Sequence, residues 1–248
     1  MRDTGWIRTT YFAHRGLHSK DKSIPENSLS AFSLAIEKGY GIELDINLLK
    51  DGQVVVFHDK DLTRMCRDSR LLSDVTLDDL GAIRLLDSDE EIPTLENVLS
   101  LVAGKVPLLI ELKHHGDHVA LCERFIQTIQ GYPGTYAIHS FHPGILSWFR
   151  KHHPDIIRGQ ISEYFLEETN MKKITKYLLR TLFFNRFTKP DFINYGLRDL
   201  PNKAVDCAKR KGLIVIAYAA RSQAEFDRVL ERYDNAVFEY FEPKRRTD

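Results

Sequence analysis

Acidic side chains occur within or at the end of two apolar segments of the sequence. Glu43 and Asp45 are two residues apart within residues 41–46, and Glu111 follows residues 108–110. In a strand, side chains two residues apart point to the same face, so Glu43 and Asp45 are expected side by side. Carboxylates held together repel one another unless a cation lies between them, and all-oxygen ligation suits Mg²⁺ or Ca²⁺ rather than zinc. These three acids are candidate ligands of one hard divalent cation.

A histidine reaches the same place through a predicted hairpin. Residues 47–53 separate two strand-like segments and contain an Asp-Gly pair. This gap is too short for a parallel crossover but is typical of a hairpin loop. Pairing across the hairpin would bring His58, which follows residues 54–57, next to the two acids of the preceding strand.

Two imidazoles near a divalent cation, with two basic side chains beside them, describe a phosphoryl-transfer site. The imidazoles are those of His14 and His58, and the basic side chains are those of Arg15 and Lys113. The cation and the two basic groups would neutralise phosphate oxygens. An imidazole whose pKa is near neutrality can accept a proton from an attacking hydroxyl, while a protonated partner delivers one to the leaving alcohol. We therefore expect the two histidines to exchange protons with the substrate.

A Pro-Glu-Asn sequence precedes a predicted helix over residues 28–38. Its Asn27 is interpreted as the N-cap of that helix, because asparagine is a favoured capping residue. Its Glu26 is a candidate partner for Arg15.

The elements that must position these residues follow a β-α rhythm. Amphipathic stretches lie between most of the short apolar segments and predict helices. The nine predicted strands cover residues 11–13, 41–46, 54–57, 106–112, 136–141, 156–161, 191–195, 213–218 and 236–238. Without the hairpin strand, eight strands remain for a parallel sheet, and eight alternating units in 248 residues favour a (β/α)8 TIM barrel over an open doubly wound sheet. The carboxyl ends of barrel strands share one site.

Two stretches depart from this rhythm. Residues 59–93 are polar and are predicted to form a small insertion over the barrel mouth, within a single domain of residues 1–248. Residues 171–187 alternate basic and apolar residues and are predicted to form one helix. A barrel helix with a solvated basic face is favoured for this stretch over a helix that lies on a membrane.

Composition argues against several classes of partner. Lys plus Arg and Asp plus Glu each number 35, so no long-range field favours nucleic acid. The first ten residues include charged side chains and no apolar core segment, so we expect neither a secretory signal nor a membrane span, and a cytoplasmic location. The three cysteines are odd in number and far apart, which suits reduced thiols better than disulfides or a zinc site.

Five short motifs resemble those of the glycerophosphodiester phosphodiesterase family. They are His-Arg-Gly at residues 14–16, Pro-Glu-Asn at 25–27, Glu-Leu-Asp at 43–45, His-Asp at 58–59 and Glu-Leu-Lys at 111–113, and the likeness continues through residues 92–96, 140–141 and 190–192. The resemblance implies a barrel of the phospholipase C-like phosphodiesterase type with an insertion after the His-Asp strand. It also implies metal-dependent hydrolysis of a glycerophosphodiester, such as glycerophosphocholine or glycerophosphoethanolamine, to glycerol 3-phosphate and an alcohol.

The resemblance assigns a role to each of the central residues. The metal ligands would be Glu43, Asp45 and Glu111, the acid–base pair His14 and His58, and the phosphate-binding residues Arg15 and Lys113. Residues expected to contact the substrate or to support this set are Glu26, Asn27, Asp59, Phe141 and Tyr218.

The C-terminal part departs from the family pattern. Ala217-Tyr218-Ala219 stands where members usually carry Trp-Thr-Val, and residues 238–240 read Phe-Glu-Tyr where an Ile-Thr-Asp-like segment is usual. Tyr218 would present an aromatic face to the glycerol moiety, but its hydroxyl adds a polar group. The preferred head group, the choice between Mg²⁺ and Ca²⁺, and the oligomeric state stay open. So does the choice between a cyclic phosphate formed by the neighbouring glycerol hydroxyl and direct attack by water.

Two other functions are carried as alternatives. A lysophospholipase D-like or phosphatidylglycerol-type lipid phosphodiesterase would use the same site, and only the basic stretch at residues 171–187 supports it. A non-catalytic barrel that binds phosphodiesters or protein partners is disfavoured, because all seven central polar residues are present.

Overall fold

The strands of the structure are the nine apolar segments predicted from the sequence. The computed structural model describes residues 3–113 and 115–244, so the two ends of the predicted domain 1–248 lie outside the described residues. The strands found in the described part are β1 (Phe12–Ala13), β2 (Gly41–Leu48), β3 (Val54–Val56), β4 (Leu108–Leu112), β5 (Tyr136–Ser140), β6 (Arg158–Ser162), β7 (Phe192–Gly196), β8 (Ile214–Ala220) and β9 (Asn235–Phe238). The prediction of all nine is confirmed.

Helices follow most of these strands. They are α1 (Trp6–Thr9), α2 (Leu29–Glu37), α3 (Thr63–Cys66), α4 (Leu77–Leu80), α5 (Leu95–Val102), α6 (His118–Ile129), α7 (Pro143–His152), α8 (Lys173–Arg180), α9 (Asn185–Thr188), α10 (Lys203–Arg210) and α11 (Gln223–Leu230). Short 3-10 turns cover Leu72–Asp74 and Leu197–Asp199. Within the described ranges, no helix has the length and apolar character needed to cross a bilayer.

The described chain forms two compact units. The N-terminal unit is Phe12–Tyr136, and the C-terminal unit combines the residues up to Tyr11 with those from Ala137 onward. In the N-terminal unit, β2 pairs in parallel with β1 and with β4, and antiparallel with β3, so the predicted hairpin is confirmed. Its strands β2 and β4 are buried on both faces, as parallel strands covered on both sides must be.

Residues 59–93 have a small core of their own. Its buried side chains pack on β3 and on Phe57, and belong to Leu62, Met65, Leu72, Val75, Leu80, Leu85 and Ile92. Helix α4 begins with a capping box, in which Thr76 accepts from the Asp79 backbone N–H and Asp79 accepts from that of Thr76. This segment is therefore folded onto the hairpin that leads to His58.

In the C-terminal unit, β5 to β9 pair in parallel in chain order. Asn235 Nδ2 donates to the carbonyls of Ile7 and Thr10, which joins α1 to β9. With β1, β2 and β4 of the N-terminal unit, the described residues contain eight parallel strands, which alternate with helices along the chain as in a (β/α)8 barrel.

One predicted helix has the wrong bounds. The single helix expected over residues 171–187 is two helices, because α8 ends at Arg180 and α9 begins at Asn185. Leu182 lies between them with a φ of +58°, a left-handed conformation that a helix cannot contain. The Leu182 side chain is buried, so its apolar packing stabilises the break between the two helices.

Candidate active site

The His-Arg-Gly motif forms a tight turn at the end of β1. Arg15 and Gly16 both have positive φ, and the Gly16 backbone N–H donates to the Glu43 carbonyl at 3.3 Å. A Cβ on Gly16 would lie 2.9 Å from Ala31 Cβ, so only glycine fits this approach to α2. The turn directs the Arg15 backbone N–H to Glu43 Oε2 at 3.1 Å and leaves His14 Nε2 3.9 Å from the same oxygen.

The three predicted acidic ligands meet where β2 and β4 pair in parallel. Asp45 is the direct parallel partner of Glu111, and carboxylate oxygens of Glu43 and Glu111 lie within 4.8 Å of each other. All three side chains are buried. Lys113 Nζ bridges two of them, at 3.2 Å from Asp45 Oδ1 and 2.7 Å from Glu111 Oε1. The acids therefore converge on one position, where the ammonium group of Lys113 lies between two of them.

Opposite charges hold Asp45 and Lys113 in their ionised forms. Burial by itself would raise the pKa of Asp45, but attraction to Lys113, His58 and Arg15 and a hydrogen bond from Asn27 keep that pKa well below its usual value. Burial would likewise lower the pKa of Lys113, and Asp45 and Glu111 raise it. Asp45 and Lys113 thus form an ion pair at neutral pH.

The hairpin brings His58 to the same acids. The Phe57 backbone N–H donates to the Asp45 carbonyl at 2.9 Å. This hydrogen bond places the next residue, His58, beside β2. His58 Nδ1 lies 2.6 Å from Asp59 Oδ1, and Asp59 in turn accepts from Arg64 Nε at 2.6 Å. This contact fixes the imidazole and leaves Nε2 for proton exchange.

Arg64 links both histidine segments and was not predicted. Its guanidinium also donates to Glu26 Oε1 at 2.7 Å, and the same Oε1 accepts from Arg15 Nη1 at 2.6 Å. Burial would raise the pKa of Glu26, but hydrogen bonding from Arg64 and attraction to both arginines lower it to about 2. The expected contact between Glu26 and Arg15 is confirmed. Arg64 lies in α3, within the predicted insertion, where no strand pattern directs attention to it.

Asn27 does not cap α2, so that interpretation is wrong. Its φ of +56° turns the side chain into the site, where Nδ2 donates to Asp45 Oδ2 at 3.0 Å. The cap is Ser28, which has the extended backbone of a cap and accepts from the Ala31 N–H. Asn27 stays among the residues predicted to support the site, because it donates this hydrogen bond to Asp45.

The other two predicted residues belong to the C-terminal unit. Phe141 and Tyr218 pack edge to face with ring centroids 6.0 Å apart. The Tyr218 hydroxyl donates to Glu163 Oε2 at 2.9 Å. Glu163 directly follows β6 and was not predicted, although an acid after an apolar strand is the signal that selected the other acids. The expected contact of Phe141 and Tyr218 with substrate stays a prediction.

Comparison with known proteins identifies the chain's relatives. The model of the glycerophosphoryl diester phosphodiesterase family matches residues 14–239. The chain belongs to this family. The Bacillus subtilis protein YhdW is 30% identical over 223 residues, which cover 85% of this chain and 86% of YhdW. A glycerophosphodiester phosphodiesterase of Bacillus altitudinis is 33% identical over 160 residues, 60% of this chain and 64% of that protein.

Solved structures share the fold of this family member. A phosphodiesterase of Oleispira antarctica, solved with its product sn-glycerol-3-phosphate, has a TM-score of 0.78 and 22% identity, with 93% of each chain covered. The glycerophosphodiester phosphodiesterase of Thermotoga maritima has a TM-score of 0.70 and 23% identity, over 93% of this chain and 94% of that one. The predicted (β/α)8 barrel is confirmed, and the family establishes the predicted enzyme class, a phosphoric diester hydrolase.

The donor set of this phosphodiesterase fits a hard divalent cation. Around the site, five carboxylates face three basic side chains, which leaves an excess of two negative charges when the histidines are neutral. The carboxylates are those of Glu26, Glu43, Asp45, Asp59 and Glu111, and the basic groups are those of Arg15, Arg64 and Lys113. Two oxygens on opposite sides of one Ca²⁺ lie up to about 5 Å apart, so the separation of Glu43 and Glu111 is compatible with shared ligation.

Proposed function

We propose that this chain hydrolyses glycerophosphodiesters such as glycerophosphocholine or glycerophosphoethanolamine to glycerol 3-phosphate and an alcohol. Glu43, Asp45 and Glu111 would hold one divalent cation, Mg²⁺ or Ca²⁺, and His14 and His58 would act as the acid–base pair. The observation that carries the proposal is the pairing of Asp45 with Glu111, whose carboxylates both contact the ammonium group of Lys113. It supports a site where anionic and cationic groups are fixed before substrate arrives.

Arg15 and Lys113 supply positive charge for the phosphate. Arg15 Nε is buried and makes no hydrogen bond to any described residue, although it lies 3.4 Å from Asp45 Oδ2. A buried donor without a hydrogen bond is costly unless a ligand uses it. A phosphate oxygen is the acceptor that would satisfy it, and Glu26 holds the opposite side of the guanidinium in place.

Proton transfer falls to the two imidazoles. Asp59 holds His58 through Nδ1, which favours the tautomer whose Nε2 accepts a proton. His14 Nε2 lies 3.9 Å from Glu43 Oε2. One histidine would take the proton of the attacking hydroxyl while the other protonates the leaving alkoxide. Both open routes, attack by the glycerol hydroxyl and attack by water, use this pair.

The cation has one chemical task. When bound, it would neutralise phosphate oxygens and stabilise the charge that develops on them in the transition state. The residues of the chain do the rest, because the β2–β4 register sets the spacing of the acids and the hairpin sets the position of His58.

Turnover of glycerophosphocholine tests the proposal. We expect activity that chelation abolishes and that Mg²⁺ or Ca²⁺ restores. His14→Ala and His58→Ala should each lower kcat by about 10²- to 10⁴-fold, because each removes one proton-transfer group. Binding of the cation, followed by calorimetry, should stay nearly unchanged in both variants.

His152→Ala is the matched control, since His152 is an exposed histidine on α7 in the C-terminal unit. Its kcat should equal that of the unchanged protein. Full activity in either His14→Ala or His58→Ala, or full activity after chelation, would contradict the proposal.

A further inference from the structure

Exposed apolar side chains are concentrated in the connection between β6 and β7. Among the described residues, seven large apolar side chains are exposed, and four of them lie in this connection. They are Leu166, Ile174, Tyr177 and Phe187, with 76, 61, 52 and 53% of their surface accessible. Single exposed apolar residues are ordinary, whereas a group of them in one segment marks an interaction surface.

Helix α8 carries two of these residues and differs from its neighbours. None of its eight residues is buried, whereas α7 buries Ile145, Leu146 and Phe149. Ile174 and Tyr177 are three residues apart and share one side of the helix. The helix therefore presents apolar side chains to water, where an outer barrel helix would pack them inward.

Polar bonds fix α8 in this orientation. Ser162 Oγ donates to the Leu179 carbonyl, and the Tyr195 hydroxyl donates to the Arg180 carbonyl, both at 3.0 Å. The last turn of α8 is thus held at the carboxyl ends of β6 and β7. The exposed side of the helix belongs to a fixed element of the C-terminal unit.

The charge of this segment selects its partner. Residues 171–189 contain no Asp or Glu and six basic residues, namely Lys172, Lys173, Lys176, Arg180, Arg186 and Lys189. The whole chain has equal numbers of acidic and basic residues, so this positive charge is local. Aromatic and aliphatic side chains beside lysines are typical of helices that lie in the headgroup region of anionic bilayers. A symmetric dimer through the same surface would bring two cationic segments together.

We propose that α8 binds the surface of an anionic lipid bilayer; Leu166 is left out of this surface because Glu167 and Glu168 follow it directly. Ile174 and Tyr177 enter the headgroup region, and the lysines on either side contact anionic headgroups. The proposal concerns where the chain resides and does not depend on the diester that it cleaves.

Co-sedimentation of the full chain with vesicles tests this surface. We expect binding to phosphatidylcholine vesicles that contain phosphatidylglycerol, weaker binding to pure phosphatidylcholine, and a loss of binding as salt concentration rises. The double variant I174D/Y177D should bind anionic vesicles about tenfold less well, because it removes the apolar contact and adds charges that anionic lipids repel.

The matched control is Leu71→Asp, an exposed apolar residue of the N-terminal unit, which should bind vesicles normally. Turnover of glycerophosphocholine without vesicles should be the same in all three proteins, so a failure here is distinguishable from a failure of the proposed hydrolysis. Equal binding by I174D/Y177D and the unchanged chain would overturn the proposal. So would an absence of vesicle binding, or a dimer in solution that I174D/Y177D abolishes.

Discussion

Two carboxyl groups, one in each unit, have opposite electrostatic surroundings. Asp45 in β2 is buried beside Lys113 and Arg15, which keep its pKa well below the usual value. Glu163, just after β6, has a raised pKa, mainly because of burial. Nearby acids raise this pKa further, and the hydrogen bond from Tyr218 offsets only part of the shift.

This difference separates an acid that stays ionised from one that favours its proton. A buried acid that stays ionised has cationic neighbours, and it can exchange part of that pairing for a metal ion without a large desolvation cost. A half-buried acid with acidic neighbours gains by holding its proton, which suits hydrogen bonding to neutral groups. Removal of an acid from water is therefore insufficient evidence for a metal ligand, and the sign of the charges around it decides.

The largest effect should come from neutralising Asp45. Asp45→Asn keeps the shape but removes the charge that pairs with Lys113, so we expect kcat/KM for glycerophosphocholine to fall on the order of 10³-fold or more, with weaker binding of the divalent cation. Glu163→Gln, the matched change in the C-terminal unit, should change kcat/KM by less than about threefold. Equal losses in the two variants would remove the distinction between the two acids.

An intermediate effect is expected at Glu26, which joins Arg15 to Arg64. Its pKa is lowered to about 2, so its contribution to stability is complete above the unfolded value near 4.5 and is lost as the pH falls toward 2. Glu26→Gln should lower the free energy of unfolding by about 3 kcal/mol at neutral pH, and the difference should shrink in acid. We also expect kcat/KM to fall about 10- to 100-fold, because Arg15 loses its support.

Asp87→Asn provides the control for Glu26→Gln. Asp87 pairs with Arg67 at 2.7 Å in the same unit, but both side chains are exposed to water. Exposed pairs contribute about 0–1 kcal/mol, so urea denaturation should give nearly the same unfolding free energy as for the unchanged chain. A loss at Asp87 as large as that at Glu26 would show that burial is not what makes the Glu26 contacts strong.

The sequence predicted the parts of the site that strand geometry determines. The two-residue period placed Glu43 and Asp45 on one face, and the hairpin loop placed His58 beside them. The carboxyl ends of neighbouring parallel strands then brought Glu111 level with Asp45. These steps need only periodicity and loop length, which a sequence displays directly.

The remaining features depend on backbone turns and on long-range contacts between side chains, which leave no periodic pattern in the sequence. Asn27 enters the site because its φ is positive, which displaces the cap of α2 to Ser28. Arg64 contacts both Glu26 and Asp59 from a segment, residues 59–93, whose position depends on its own small core. The helix is interrupted at Leu182, whose side chain is buried, although the alternation of basic and apolar residues continues through this position.

The smallest expected effect is on stability at Glu163. Because its pKa in the folded chain is raised above 4.5, the folded state binds the proton more tightly, and stability falls as the pH rises through that range. Glu163→Gln has no proton to lose and can still accept the Tyr218 hydrogen bond. It should raise the unfolding free energy by about 0.5 kcal/mol or less at pH 7, as measured by urea denaturation, and the gain should vanish near pH 4. A loss of stability in Glu163→Gln at pH 7 would instead mean that a cation keeps Glu163 ionised, as Lys113 keeps Asp45 ionised. The contrast between the two acids would then fail.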